Sequence, residues 1–316
     1  MIDGKWLEDF LCVARTGSFS RAATERHITQ SAFSRRIKAL EQWVGSALVD
    51  RSSYPTRLTP GGERFREVVE HVLGSLKEVR RELRAAAAVP GKKLRVSAQH
   101  SLASGFLVQW LAGVREQLGG VALEVRADNF HDCLRDLDEG NVDLLICYVH
   151  EELPMSLDPG RFVGVRIADT SLVPVSRPGT GGRPVFSLRA PSTASLPMLH
   201  YGGDSYLGRA AMLLIERRRL TARLTVVYEC ASSESLRAAA VSGLGMAWLP
   251  AHFVADDLAK GLLVHAGRPS HELALGVDLY ADRARLGNRQ GSEALLMQFL
   301  HTSSPNQHWT RVAVAP

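Results

Sequence analysis

At 316 residues, 45% of them hydrophobic and 22% charged, the chain has the composition of a folded globular protein and exceeds what one ordinary core covers. No apolar run approaches the roughly 20 residues of a membrane helix, and the first residues offer no apolar stretch before a cleavage site, so neither membrane insertion nor a secretory signal is expected and the cytoplasm is predicted. The net charge of +5 is unevenly placed: between Arg15 and Arg57 eight basic residues face three acids (8 − 3 = +5), while 23 basic and 22 acidic residues from residue 91 onward leave +1.

A basic head on a near-neutral body suits a polyanion, though a solvated charged face is the plainer alternative. Trp6, Leu7, Phe10, Leu11 and Ala14 recur at helical spacing and predict a first helix ending near Gly17. Ser18 caps a short second helix through Phe19, Ala22 and Ala23. His27 and Ile28 make a tight turn, Thr29 caps again, and a third helix covers residues 30–41. Two short helices joined by a tight turn, the second basic on one side, form a helix-turn-helix. In the third helix Phe33, Ile37 and Leu40 supply the core side, leaving Gln30, Ser31, Ser34 and Arg35 outward near its N-terminus. Gln and Arg pair bidentately with base edges, while hydroxyls and the helix dipole suit phosphates.

Residues 47–51 and 56–59 flank a Ser-Ser-Tyr-Pro turn and predict a hairpin, a wing with Arg51 and Arg57 on its arms. The expected DNA contacts are therefore Ser18, Arg21, Thr29, Gln30, Ser31, Ser34, Arg35, Lys38, Arg51 and Arg57. Thr59 caps a long helix with Pro60 at its first position, running to about residue 88. Its apolar positions Phe65, Val69, Val72, Leu73, Leu76 and Val79 follow heptad-like spacing, and a second copy of the chain is the simplest partner for such a seam.

Beyond a hinge at residues 90–93, strands at 93–98, 121–127 and 143–148 alternate with helices near 106–111 and 133–137, which predicts a parallel α/β lobe. A second lobe opens with a strand at 168–175. It continues with strands at 196–201, 224–229 and 245–250 and helices from about 205 and 232. Residues 271–282 are expected to return to the first lobe, with a last helix at 295–300. Ligands in open α/β sheets sit at the carboxyl ends of strands, where this reading brings His100, Ser101, Tyr201, Ser205, Tyr206, Cys230 and Ser232 together. Hydroxyls and helix starts there suit a small polar or anionic effector; the alternative is that Ser101, Ser205 and Ser232 are N-caps.

Four cysteines (Cys12, Cys133, Cys147, Cys230) show no metal-ligand spacing, so no metal and no cofactor is expected. No nucleophile elbow, phosphate loop or zinc-protease signature occurs, and an enzyme is not expected. A solute-binding module with no regulatory role is the rival class, but it leaves the basic head unexplained.

The segments GSFSRAA (17–23), TQSAFS (29–34), KALE (38–41) and RLTPGG (57–62) resemble, in order and spacing, the DNA-binding head of LysR-type transcriptional regulators. Two positions depart from that pattern: Ser31 stands where the family usually has Pro, and Val49 where it usually has Phe. The resemblance implies an N-terminal winged helix-turn-helix (1–59), a linker and dimerisation helix (60–90), and a two-lobed periplasmic-binding-protein-like α/β sensing domain (91–304), followed by a tail (305–316). Lobe 1 would comprise 91–165 and 268–304, and lobe 2 would comprise 166–267. The partners it implies are double-stranded promoter DNA, further copies in a dimer or tetramer, a small-molecule or oxidant effector, and RNA polymerase. Segments 100–102, 205–209 and 245–250 are similar to the hypochlorite-responsive subgroup, which implies switching by side-chain oxidation. Where that subgroup has its sensing methionines this chain has Val114, Leu207 and Ser232, so the methionine mechanism does not carry over. The remaining redox candidates are Met198, Met246 and Cys230, the last at a helix N-terminus that favours thiolate, or else a buried and inert cysteine.

Overall fold

The computed structural model describes residues 3–26, 28–53, 55–87, 93–114, 122–155, 157–189, 195–202 and 205–286, in two compact units, Met1–Ala87 and Ala88–Pro316. His27, the wing-tip Tyr54, the hinge at 90–92, the helix expected at 295–300 and the tail lie outside the described residues.

In the first unit, helices α1 (Gly4–Thr16), α2 (Phe19–Glu25) and α3 (Gln30–Val44) precede strands β1 (Val49–Asp50) and β2 (Arg57–Leu58) and the long helix α4 (Pro60–Ala87). The expected caps form: the Ser18 hydroxyl accepts from the Arg21 amide at 3.4 Å, and that of Thr29 from Ala32 at 3.3 Å. α1 ends because Gly17 takes the left-handed conformation, φ 59°, that a side chain would disfavour. Phe10, Val13, Ala22, Phe33, Ile37, Leu40 and Leu48 are buried in one cluster, each large side chain contributing about 1.5–3 kcal/mol. Val49 is buried with them although it lacks the family's ring.

Two carboxylates tie these helices together. Asp9 is wholly buried on the apolar face of α1 and accepts from Arg26 Nε at 2.7 Å and Arg36 Nη1 at 3.2 Å, which joins all three helices. Glu41 accepts from the amides of Leu48 and Val49, at 3.0 and 3.1 Å, and from Arg51 Nη2 at 3.0 Å, so α3 carries the wing. The wing pairs Val49 with Leu58 and Asp50 with Arg57. Thr59 donates to the Ala47 carbonyl at 2.8 Å and accepts from the Gly62 amide at 3.0 Å. A Cβ at Gly62 would collide with the Leu48 carbonyl, so only glycine lets α4 start this close to the wing. Along α4, Val69 is buried and Phe65 lies 5.4 Å from the Phe10 ring, whereas Val72, Leu76, Val79 and Leu83 are exposed.

The second unit is built on strands β3 (Lys93–Gln99), β4 (Ala122–Asp128), β5 (Leu144–Val149), β6 (Phe162–Ser176), β7 (Leu196–His200), β8 (Leu224–Glu229), β9 (Met246–Pro250), β10 (Val264–His265) and β11 (Leu273–Asp282). The strands run in the order β4-β3-β5-β11-β6-β9-β7-β8, with β10 paired to β6. β3 pairs in parallel with β4 and β5, and β7 in parallel with β8 and β9, as two lobes of strand-helix units require. β5 and β9 are wholly apolar and buried because sheet and helices cover both faces, while β8 is an exposed edge. A π-turn (Leu102–Phe106) leads into α5 (Leu107–Val114). The other helices are α6 (Phe130–Asp138), α7 (Tyr206–Arg217), α8 (Ser233–Val241), and the short α9 (Ala255–Ala259) and α10 (Arg283–Leu286).

β11 does return to the first lobe, pairing antiparallel with both β5 and β6. β6 begins at Phe162 rather than 168, and the lobe boundary expected at 165/166 falls within this strand, whose N-terminal part pairs with β11 and C-terminal part with β9. The sequence reading missed β10, α9 and the π-turn, all too short to show periodicity.

The Asp9→Asn variant leaves Arg26 and Arg36 without their buried anion and is expected to lower the stability of the head by about 2–4 kcal/mol, read as an earlier urea midpoint. An unchanged midpoint would show that the ion-pair triad is dispensable.

Candidate functional site

Two surfaces concentrate functional chemistry, one in each unit. On the head, the first turns of α3 present Gln30, Ser31, Arg35 and Lys38 to solvent, and Arg57 is exposed on β2. Gln30 accepts from the Ser20 hydroxyl at 3.1 Å, and the Thr29 and Ser31 hydroxyls lie 3.1 Å apart, which preorganises this turn. Other expected DNA contacts have internal partners. Arg51 is held by Glu41, donates to Ser34 Oγ at 3.3 Å and lies 5.0 Å over the Phe19 ring, so it braces the wing while its side chain stays 41% exposed. Arg21 donates to the Thr16 carbonyl at 2.6 Å, and Ser18 is a cap.

In the sensing unit the carboxyl ends of the two sets of parallel strands point toward one another, and side chains at those ends meet. On one side Ser104 of the π-turn donates to Glu234 of α8 at 3.3 Å; on the other, Phe130 of α6 packs on Tyr206 of α7 with ring centroids 4.6 Å apart. Between them runs a hydrogen-bonded chain: Ser101 Oγ to Tyr148 Oη at 2.9 Å, Tyr148 Oη to His252 Nε2 at 3.3 Å, and His252 Nδ1 to Thr170 Oγ1 at 3.2 Å. Burial lowers the His252 pKa, so a neutral imidazole links two hydroxyls.

Three residues expected to touch an effector are corrected by this geometry. Ser101 is buried against Tyr148, Tyr201 against the Ser233 hydroxyl at 3.0 Å, and Tyr206 is buried with its hydroxyl donating to the Leu153 carbonyl at 3.4 Å. They shape the cleft from behind because their hydroxyls already have partners. His100 is exposed and Ser205 half-buried, and Ser205 makes no side-chain cap bond at the start of α7. Ser232 caps α8 through the Ser235 amide and donates to Glu234 at 2.8 Å. Of the three hydroxyls weighed as caps, only Ser232 caps. Sequence reasoning missed His252, Thr170 and Glu234 as partners here; Thr170 lies in the strand expected at 168–175, but no periodicity marks a hydroxyl, imidazole or carboxylate as the partner of a distant residue.

Met198 and Met246, at 5% and 0% exposure, lie in the core, away from any dissolved oxidant. Cys230 is half-buried, and hydrogen bonds from the Ser232 amide and the Ser235 hydroxyl lower its pKa. Burial instead pushes Cys12 and Cys133 up to about 11, and Cys147 well above the ordinary thiol range.

Comparison with known proteins matches residues 5–63 to the family described as bacterial regulatory helix-turn-helix protein, lysR family, and residues 87–300 to the LysR substrate binding domain. The HTH-type transcriptional regulator YjiE of Escherichia coli (strain K12) is 32% identical over 285 residues, 89% of each chain. The solved structure of DarR from Vibrio fischeri in complex with DNA is 30% identical, with a TM-score of 0.56 over 98% of this chain and 100% of that one. Full-length HypT from Salmonella typhimurium, a hypochlorite-specific LysR-type transcriptional regulator, is 28% identical, with a TM-score of 0.57 over 97% and 100%.

Iodoacetamide at neutral pH is expected to alkylate Cys230 faster than Cys12, Cys133 or Cys147, as followed by peptide mass spectrometry of the folded chain. Equal rates at all four would show that the cap of α8 does not activate this thiol.

Proposed function

The chain belongs to the LysR family of DNA-binding transcriptional regulators, and from that membership we propose that the start of α3 reads promoter DNA while a small polar or anionic effector in the interlobe cleft modulates the binding. Gln30, Ser31 and Arg35 contact base edges, with Thr29, Lys38 and Arg57 beside phosphates. Ser18, Arg21, Ser34 and Arg51 hold this surface in place.

The observation that carries the reading is the division of the head's basic residues. Arg26, Arg36 and Arg51 are engaged by carboxylates, whereas Arg35, Lys38 and Arg57 are exposed and form no ion pair among the described residues. Such free cations on a helix N-terminal face are what a phosphate backbone attracts.

The exposed stripe Val72, Leu76, Val79 and Leu83, spaced 4, 3 and 4 residues apart on α4, supports pairing with the same helix of a second copy. Such a dimer sets two heads on half-sites about 34 Å apart or a multiple of it. The effector acts by favouring one arrangement of the lobes, and its promoter places the protein in the cytoplasm, with RNA polymerase as a further partner. The role is binding, not catalysis. A second reading, switching by thiol oxidation, is favoured by the lowered pKa of Cys230 alone.

Arg35→Ala should weaken binding to the promoter site by about 1–3 kcal/mol and relax preference at one base position. Lys38→Ala should weaken all sequences alike and reduce the salt slope by about 1. Gel shifts on the chain's own upstream DNA over a salt series decide it: a uniform loss for Arg35→Ala would move that residue to the backbone. Leu76→Glu is expected to yield monomers in sedimentation at concentrations where the unaltered chain is dimeric, and a persisting dimer would remove α4 from the interface.

A further inference from the structure

Helix α7 ends on a strained residue. Arg219 takes φ 54° and is the one non-glycine residue with positive φ among the described residues. Its amide donates to the Glu216 carbonyl at 3.0 Å and that of Leu220 to the Ile215 carbonyl at 2.9 Å, which closes the helix as a Schellman turn. Glycine fills the left-handed position at no steric cost, as Gly17 and Gly45 do after α1 and α3. A long charged side chain kept there against a backbone penalty points to a use for the side chain itself.

Arg219 is not isolated. Leu188 donates to the Ala266 carbonyl at 2.7 Å, Arg189 Nε to that of Gly267 at 2.8 Å and Arg223 Nη1 to that of Leu188 at 3.3 Å, which joins residues 187–189, 218–223 and 266–268 into one surface. Burial lowers the His271 pKa, and the charges of Arg218, Arg268 and Arg223 lower it further, so their fields overlap there. Arg189, Arg218, Arg219 and Arg268 are exposed and form no ion pair among the described residues, whereas Arg217 beside them pairs with Glu152. Of the acids in these segments, Glu272 stands 4.0 Å from the His265 imidazole and Glu216 is exposed. The helix dipole accounts for cations on the last turn of α7, but not for Arg189 and Arg268, which come from other segments.

Residues 218–223 lead from α7 into Leu224, so the surface lies at the amino ends of the parallel strands β7 and β8, the opposite end of the lobe from the residues read as the effector site. We propose that this arginine surface is a second DNA contact of the chain, taking backbone phosphates that flank the stretch held by the head. Its cations are all arginines, whose planar forks fit phosphate oxygens. None of the large exposed apolar side chains falls in residues 187–189, 216–223 or 266–272, so the surface lacks the buried anchor that a protein partner requires. DNA gripped by the head is tethered to the same chain, and its raised effective concentration lets a few exposed cations bind. The proposal rests on the family's DNA binding and is independent of what the sensing unit senses.

The test titrates the full chain with two duplexes over a salt series. One is the stretch of its own upstream DNA that resists hydroxyl radicals most strongly; the other extends it by about 20 base pairs, two helical turns, on each side. The double variant Arg218→Gln with Arg268→Gln should lower the salt slope by about 2 on the extended duplex, leave it unchanged on the short one, and lose protection in the flanks. Arg219→Gly should lower the slope on the extended duplex by about 1 while its melting temperature stays level or rises, because glycine relieves the backbone. A marked fall in that melting temperature would show that Arg219 is kept for folding, and would remove the strained residue from the argument. Slopes that fall equally on both duplexes would reflect a general loss of positive charge and overturn the second contact. Slopes unchanged on the extended duplex would overturn it too, leaving an acidic protein as the partner of this surface. Specific binding of the short duplex by the unaltered chain reports on the head alone, so failure of the flanking contact stays distinct from failure of promoter recognition.

Discussion

The sensing unit depends on the antiparallel pairing of β6 with β11, from Leu172–Leu273 to Phe162–Asp282. Those two strands are the seam from which both sets of parallel strands hang: β5 pairs with β11, and β9 with β6. Because the seam is antiparallel, the parallel strands on either side present their carboxyl ends toward each other. The register shifts between Val277 and Asp278, and there Arg166 pairs with Asp278 with its guanidinium laid over Gly276, where a Cβ would displace it. The chain from Ser101 through Tyr148 and His252 to Thr170 ties a helix start of the first lobe to β6 beside this seam. Any rearrangement of the lobes must strain or repack these bonds.

In the head the governing constraint is electrostatic. Eight basic residues between Arg15 and Arg57 would repel one another in a compact fold. Asp9 and Glu41 resolve this by taking Arg26, Arg36 and Arg51 into internal bonds that also set the angles between helices and wing. What remains outward is a smaller set, concentrated at the start of α3. Two buried or half-buried carboxylates therefore decide both the shape and the charge of the surface proposed to read DNA.

The likeness to HypT extends over 97% of the chain. Leu207 is buried and Ser232 caps α8, so two positions aligned with sensing methionines carry a packing residue and a cap. The methionines Met198 and Met246 are core residues, and among the described residues the half-buried sulfurs are those of Cys230, Met155 and Met212. Beside the packed rings of Phe130 and Tyr206, Arg209 Nε is buried without a hydrogen-bond partner among the described residues.

Much of the fold was legible because its signals are local. Caps at Ser18, Thr29 and Thr59, the apolar spacing of α1, α3 and α4, and the apolar runs of β5 and β9 each depend on a few neighbouring residues, and all appear where expected. The site was legible only as a neighbourhood. Composition shows that Arg51 is basic but not that Glu41 will hold it, and that Ser101 and Tyr201 carry hydroxyls but not that Tyr148 and Ser233 lie beside them. Partners such as Asp9 with Arg36, Tyr148 with His252, and Phe130 with Tyr206 are brought together from distant parts of the chain. By itself the sequence determined the elements, their order and the basic character of the head, since those follow from short-range periodicity and charge. Only the tertiary structure decided which polar groups are satisfied within the fold and which, like the exposed Arg35, are not, because satisfaction is a property of three-dimensional neighbours.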